Sequence, residues 1–372
     1  MKIYNPLVKN KLKKAINPFV LKNYIHYKYT TLRNRFFYGK KRILRFVKIE
    51  VSKECPSKCK TCNFWRTKTL MNGEEICTKK LSFDQMKKLG RELKEIGCGI
   101  VHLHGGEPFL YPEILELIEY LKELGVYVQT DTNGLLINKK VAERFVKTGI
   151  DSISFSLDAP TRELNDFIRG VNGAYDKLIN AIKLIQAADK DNKIYKNINA
   201  TVSVYNIGHI DKILDVAHTL GISSVTFGNV VSFGKNVKEI CDKTFGKKVG
   251  SVAYMNPDLM VKDKLLIERK IEEIKKKANN LGISVGGLFL SLSPELIISG
   301  KRRLNSICNY FLYRCIIDIY GNVYPCDFLR YPLGNIHQNS LKKILGQNFT
   351  EFYDIYRKNW KNLEICEFCC YG

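Results

Sequence analysis

The stretch RFVKIEVSKECPSKCKTCNFW, residues 45–65, joins a short β-branched run to three cysteines, Cys55, Cys59 and Cys62, spaced C-x3-C-x2-C. The run reads as a strand and the cysteines as the loop that follows it. After Cys62 no further cysteine occurs until Cys77. A closed tetrahedral zinc site takes four Cys or His ligands, and here Cys77 or His102 could complete one only through long-range folding. Three thiolates on a tight loop suit a cubane iron–sulfur cluster better, because one of its four irons then stays open to a small molecule.

The chain has 372 residues and is 45% hydrophobic, enough for one large domain and a smaller one. Its net charge of +23 is unevenly placed, since the first 45 residues carry 13 Lys/Arg and no acid before Glu50. Such an arm attracts something anionic, whether an acidic peptide, nucleic acid or a lipid surface, or it is a solvated basic tail. No apolar run approaches the roughly 20 residues that span a bilayer, and no secretory signal is evident, so a cytoplasmic protein is expected. In that compartment the twelve cysteines point to metal rather than to disulfides. Nine of them fall in two groups, Cys55, Cys59 and Cys62, then Cys308, Cys315, Cys326, Cys366, Cys369 and Cys370. Cys77, Cys98 and Cys241 read as ordinary core or loop thiols.

From Arg45 to about Val230, β-branched runs alternate with amphipathic segments. RFVKIEVS, GIVHLHGG, VYVQTDTNG, DSISFSLDA, INATVSVYN and ISSVTFGNV are six strands, and the intervening helices include LSFDQMKKLGRELKEIG, with Ser82 as N-cap and Gln85 three residues on. Gly97, Gly125, Gly149 and Gly221 sit where helices should end. Strands separated by long helical crossovers imply a parallel sheet with helices outside, a partial (βα)6 TIM-like barrel. Chemistry in such sheets collects at the loops after the strands' carboxyl ends, which is where the three-cysteine loop lies. Past Val230 the periodicity fails, and residues 236–300 read as a connecting or substrate-covering insert with a charged helix over Lys262–Leu281. From about Lys301 the chain is short-stranded, with a hairpin in CIIDIYGNVYPC turning at Gly321-Asn322 and a short helix at SLKKIL. The expected organisation is a basic extension over 1–45, a (βα)6 core over 46–235, the insert, and a small α+β cysteine-rich domain over 301–372.

CPSKCKTC after the first strand, GGEP (Gly105 to Pro108) after the second and SLDA after the fourth together resemble the radical S-adenosylmethionine (SAM) enzymes over about residues 46–235. The resemblance implies that Cys55, Cys59 and Cys62 hold a [4Fe–4S] cluster whose fourth iron is chelated by SAM. It implies that Gly105, Gly106 and Glu107 form the turn receiving the SAM amino group, glycine allowing close backbone approach. Ser156 and Arg169 would hold the SAM carboxylate, for which a guanidinium fork is suited. The other reading of Arg169 is an exposed cation at a helix end, and Asp158 reads as a cap for the segment that follows it. Two departures stand out: Thr61 replaces the family's aromatic before the third cysteine, with Phe64 or Trp65 as substitutes, and INATVSVYN lacks a glycine-rich adenine-contacting pattern.

In the second group the spacing C-x12-G-x4-C from Cys308 to Cys326, followed by CEFC, resembles the SPASM or shortened twitch domain of radical SAM proteins. That resemblance implies one auxiliary [4Fe–4S] cluster on Cys308, Cys326, Cys366 and Cys369, with Cys315 and Cys370 as rival ligands; a zinc ribbon from the same thiols is the alternative. A radical SAM oxidoreductase or maturase would reductively cleave SAM to a 5′-deoxyadenosyl radical, abstract hydrogen from a peptide or small-molecule substrate, and use the auxiliary cluster for oxidation or cross-linking. It would need a reductant such as flavodoxin or ferredoxin, and residues 1–45 could rest on an anionic membrane surface. The competing reading is a zinc-stabilised nucleic-acid-binding protein without catalysis. No catalytic side chain is identified.

Overall fold

The computed structural model describes residues 44–62, 64, 79–230, 237–246, 249–251, 256–299, 308, 310–363 and 366. The basic arm up to residue 43, Trp65, Cys77, Cys369 and Cys370 lie outside them.

The six expected strands form as β1 (Phe46–Ser52), β2 (Ile100–Gly105), β3 (Tyr127–Thr132), β4 (Ser152–Ser156), β5 (Tyr195–Val202) and β6 (Ser224–Asn229). They lie side by side in chain order and all neighbouring pairs are parallel. Their crossover helices are α1 (Phe83–Glu95), α2 (Ile114–Glu123), α3 (Lys139–Lys147), α4 (Arg162–Arg169), α5 (Ala174–Ala188) and α6 (Ile213–Thr219). Local chemistry sets the helix starts. Ser82 and Gln85 form a reciprocal capping box on α1, and Asn138 Oδ1 accepts the Val141 N–H at 2.9 Å on α3. The connection from β4 to α5 contains α4, a separate helix capped by Thr161.

Each strand has two unlike faces. Val47, Ile49, Val51, Val101, Leu103, Val128, Ile153 and Phe155 are buried against the helices. Period-2 alternation puts Lys48, Glu50, His102, His104, Gln129, Asp131 and Ser154 on the opposite, concave face. Parallel strands packed on both faces are apolar throughout. The polar concave face marks a barrel interior built to hold something other than a hydrocarbon core.

The sheet continues past the expected six strands. β8 (Ser284–Gly286) pairs parallel to β6 at one edge. At the other edge β9 (Arg314–Ile317) pairs parallel to β1, and β10 (Asn322–Tyr324) and β12 (Gly334–Asn335) follow antiparallel, giving ten strands in all. The cysteine-rich hairpin is thus continuous with the barrel sheet, its turn fixed by Asp318 Oδ1 accepting the Tyr320 and Asn322 N–H groups at 2.9 and 3.0 Å. A second sheet pairs β7 (Gly250–Ser251) with β11 (Leu329–Arg330).

Three sequence expectations are revised here. The stretch after Val230, which shows no clear period, contains α7 (Val237–Phe245). The charged helix, α8, spans Lys264–Leu281, starting at an Asp263 cap instead of at Lys262. SLKKIL is only the first turns of α9 (Leu341–Asn359). Gly346 and Thr350 weaken the helical signal of α9, but Phe349, Phe352, Tyr353 and Tyr356 recur at three- and four-residue spacing and dock it on the C-terminal core. Phe352 is fully buried, with ring centroids 5.0 Å from Tyr331 and 5.2 Å from Phe311. Phe352→Ala should therefore cost about 3–5 kcal/mol of stability, read as a lower midpoint in denaturant unfolding; a loss under about 1 kcal/mol would mean this cluster does not anchor the helix.

Candidate active site

The loop bearing Cys55, Cys59 and Cys62 leaves the carboxyl end of β1 and is held from two sides. On one side the Gly106 N–H donates to Ser52 O at 2.8 Å and the Glu107 N–H to Glu54 O at 2.9 Å. The contact is too close for any side chain: a Cβ on Gly105 would lie 2.1 Å from Ser52 O, and one on Gly106 would lie 2.2 Å from Glu54 O. The glycines of GGEP thus admit the chain's own cysteine loop, a role the sequence reading did not assign them. On the other side the Lys58 and Lys60 N–H groups donate to Arg169 O and Ile168 O at 3.1 and 2.8 Å. There α4 ends at Gly170, whose φ of +65° suits glycine and whose Cβ would strike Lys58 O at 2.5 Å.

Each thiol of the loop receives an N–H donor. Asn133 Nδ2 donates to Cys55 Sγ at 3.6 Å, Arg169 Nη1 to Cys59 Sγ at 3.6 Å, and the Phe64 N–H to Cys62 Sγ at 3.4 Å. Donors of this kind stabilise thiolates and tune iron–sulfur centres. Burial pushes the free Cys55 thiol up to about 11, so a bound cationic centre is what would keep it ionised. Three thiolates with a donor apiece fit an iron–sulfur cluster.

Glu107 is buried and turned inward. Its carboxylate accepts Thr132 Oγ1–H at 2.9 Å, the Asn133 N–H at 2.8 Å and the Phe109 N–H at 3.3 Å, while burial raises its pKa to about 7. It therefore fixes Asn133, and through it Cys55. Arg169 has only 13% of its side chain exposed and its Nε lies 3.1 Å from Asp158 Oδ2. Burial works to lower its pKa, but Asp158 and the nearby thiols outweigh that and raise it. The reading of Arg169 as an exposed helix-end cation is thereby excluded. Asp158 is not the cap either: Thr161 caps α4, and Asp158 Oδ1 accepts the Thr201 N–H at 2.8 Å. Ser156 ends β4, opposite Asn199 on β5.

His102 does not reach the cysteine loop as a fourth ligand. It donates from Nε2 to Asp131 Oδ2 at 2.8 Å, and His104 Nδ1 lies 3.4 Å from the same oxygen. His104, Asp131 and Asn133 went unread in the sequence, although VHLHGG already places two histidines on one strand face.

In the C-terminal group Cys308, Cys326 and Cys366 are all buried. Cys308 Sγ accepts the Tyr310 N–H and Cys326 Sγ the Phe328 N–H, each at 3.4 Å. Burial raises the pKa of the Tyr356 phenol, and the Cys366 and Cys308 thiols raise it further, so both cysteines lie in the electrostatic reach of one buried ring. Cys315 belongs to β9 opposite Val47 and interacts with Cys98, a buried core thiol pushed up to about 12 by burial. Two ion pairs tie this region to β1: the half-buried Lys48 Nζ to Asp327 Oδ1 at 2.9 Å and the buried Arg330 Nη2 to Glu50 Oε1 at 2.6 Å.

A family model described as the radical SAM superfamily matches residues 49–217, and one described as an iron–sulfur cluster-binding domain, SPASM, matches residues 308–371. Residues 49–217 belong to the radical SAM superfamily. The chain is an enzyme with SAM and a [4Fe–4S] cluster as cofactors, and its SPASM domain adds auxiliary iron–sulfur binding. Among its relatives, the AdoMet-dependent heme synthase of Methanosarcina barkeri is 24% identical over 300 residues, 81% of this chain and 81% of that protein. The mycofactocin maturase MftC of Mycobacterium ulcerans is 28% identical over 261 residues, 69% of this chain and 63% of that protein. SuiB of Streptococcus suis bound to S-adenosylmethionine shares the fold, with a TM-score of 0.61 at 17% identity over 95% of this chain and 76% of that one. The non-catalytic nucleic-acid reading is set aside by this membership. No helix among the described residues is long and apolar enough to cross a membrane.

In this radical SAM enzyme Gly106→Ala should push the loop at Glu54 away and cut the iron retained after anaerobic reconstitution to that of the auxiliary region alone; unchanged iron content would show the close approach is dispensable. Asn133→Ala removes one thiolate donor and should weaken cluster retention about 10–100-fold, the range for outer-shell partners, measured as loss of visible absorbance to a chelator.

Proposed function

We propose that the enzyme cleaves SAM reductively at a cluster held by Cys55, Cys59 and Cys62 and oxidises a peptide, with the C-terminal cluster accepting electrons. The observation that carries this reading is the three-cysteine loop, clamped between the GGE turn and the end of α4, with an N–H aimed at every sulfur. When loaded, the cluster and SAM supply hydrogen abstraction from an unactivated carbon. The protein's part is placement. Gly105 and Gly106 fix the loop, the Glu107 backbone receives the SAM amino group, and Ser156 and Arg169 hold its carboxylate, with Asp158 fixing the Arg169 fork. The polar concave face holds the substrate below that site. The peptide reading is supported by a relative named as a PqqA peptide cyclase, from Granulibacter bethesdensis, 27% identical over 187 residues. A carboxylate-bearing tetrapyrrole is the second reading, supported by the heme synthase match over 81% of both chains.

Auxiliary ligation is assigned to Cys308, Cys326, Cys366 and Cys369. Supporting it are the electrostatic influence of both Cys308 and Cys366 on the buried Tyr356 phenol and the burial of Cys315 within the sheet opposite Val47. A reductant of the flavodoxin or ferredoxin kind supplies the electron. The basic arm, outside the described residues, is assigned to capture of an acidic peptide, with an anionic membrane surface as the other anionic partner.

Anaerobic incubation with SAM and dithionite should yield 5′-deoxyadenosine, and Cys59→Ala should abolish it; undiminished product from that variant would sink the assignment. Cys366→Ala combined with Cys369→Ala should spare SAM cleavage while abolishing substrate oxidation. Deuterium transfer into 5′-deoxyadenosine from labelled peptides or from tetrapyrroles decides between the two substrate classes.

A further inference from the structure

We propose that His102, His104 and Asp131 form a mononuclear site for a divalent transition-metal ion on the concave face of the barrel, in addition to the iron–sulfur centres. The two histidines stand two residues apart on β2 and so share a face. His102 pairs with Gln129 in the β2–β3 register, which sets Asp131 beside His104 on the neighbouring strand. One ligand atom from each residue lies within 4.8 Å of the other two.

The separations suit a shared ion. His102 Nε2 and His104 Nδ1 lie 2.8 and 3.4 Å from Asp131 Oδ2. Donors bound to one ion at about 2.0–2.2 Å sit on the order of 3 Å apart. Two imidazoles and one carboxylate are the donor set of open-sided iron, manganese and zinc sites, where three protein ligands leave the remaining positions to water or a substrate heteroatom. The side chains are 13%, 29% and 26% exposed, so an ion has a way in. Both rings are also steadied, Phe46 lying edge-on to His102 at 6.1 Å and Phe64 edge-on to His104 at 6.4 Å.

Charge accounting points the same way. Among the nearby described groups Lys48 is matched by Asp327 and Arg330 by Glu50. Asp131 has ion-pair contacts with the two imidazoles only among the described residues. A hydrogen-bonded triad without metal would leave the Asp131 charge to an imidazolium; a divalent ion neutralises it directly.

Manganese(II) is the test probe, because thiolates select softer ions and a carboxylate–imidazole site accepts it. The full-length chain, anaerobically loaded with iron and sulfide, is titrated with manganese(II), and the free ion is followed by its electron paramagnetic resonance signal. One equivalent should be taken up with no SAM present, and Asp131→Asn and His104→Gln should each weaken uptake at least tenfold. Retained iron–sulfur absorbance checks that each variant is folded, and His104→Gln serves if Asp131→Asn is not. Absence of uptake by the native chain, or equal uptake by a folded variant, overturns the site and leaves a hydrogen-bonded triad only. The readout needs no substrate and no SAM cleavage, so it stands apart from the outcome of the activity assays.

Discussion

Two backbone hydrogen bonds, from Gly106 to Ser52 and from Glu107 to Glu54, join the end of β2 to the loop that leaves β1. They form only because neither glycine has a Cβ, and they set where Cys55 begins. Glu107 then turns its carboxylate under the next strand end, accepting from Thr132 and Asn133, so three consecutive strand termini are fastened to one loop. The same loop is fastened again at Lys58 and Lys60 by the last carbonyls of α4, which otherwise lack intrahelical partners. A loop with this many backbone anchors presents its thiols with little left to order on binding, which is what preorganisation of a metal site requires.

The barrel interior follows from strand alternation. On the helix side the strands bury branched and aromatic residues, supplying the apolar burial that holds the layers together. On the concave side they place charge, and that charge is costly to desolvate unless matched. The C-terminal region supplies much of the match. Asp327 and Arg330, on the segment just after Cys326, reach back to Lys48 and Glu50 on β1. Extending the sheet past β1 and positioning Cys326 are therefore one packing event, made firm by the parallel pairing of β9 with β1. Breaking a buried pair of this kind typically costs about 3–5 kcal/mol, so the two regions are not independently adjustable.

Around Cys308 and Cys366, the proposed auxiliary ligands, the environment is aromatic: the Tyr356 ring under their electrostatic influence packs on Phe311, which packs on Phe352. Such a shell excludes water and lowers the local dielectric, two of the levers that set an iron–sulfur potential. Solvent exclusion at the cysteine loop has a different origin, namely the ends of β2, β3 and α4 closing round it.

Much of this was readable in the chain itself. The β-branched runs, the helix cap at Ser82, and the cysteine spacing at residues 55–62 are local signals, and local signals fix strands, helices and loop length. The helix α4 and the full length of α9 were obscured because weak helix formers interrupt the period, and docking on the core overrides that weakness. What no local pattern could contain is partnership across long sequence separations: Asn133 reaching Cys55, Asp158 gripping Arg169, Asp327 and Arg330 closing onto β1 some 280 residues earlier. The sequence by itself determined the order of strands and which residue types could bear iron and sulfur. Only the tertiary structure decided that the GGE glycines admit the cysteine loop, that Glu107 faces inward, and that two histidines and an aspartate meet inside the barrel, because pairing register and crossover packing, not composition, bring distant side chains within bonding distance.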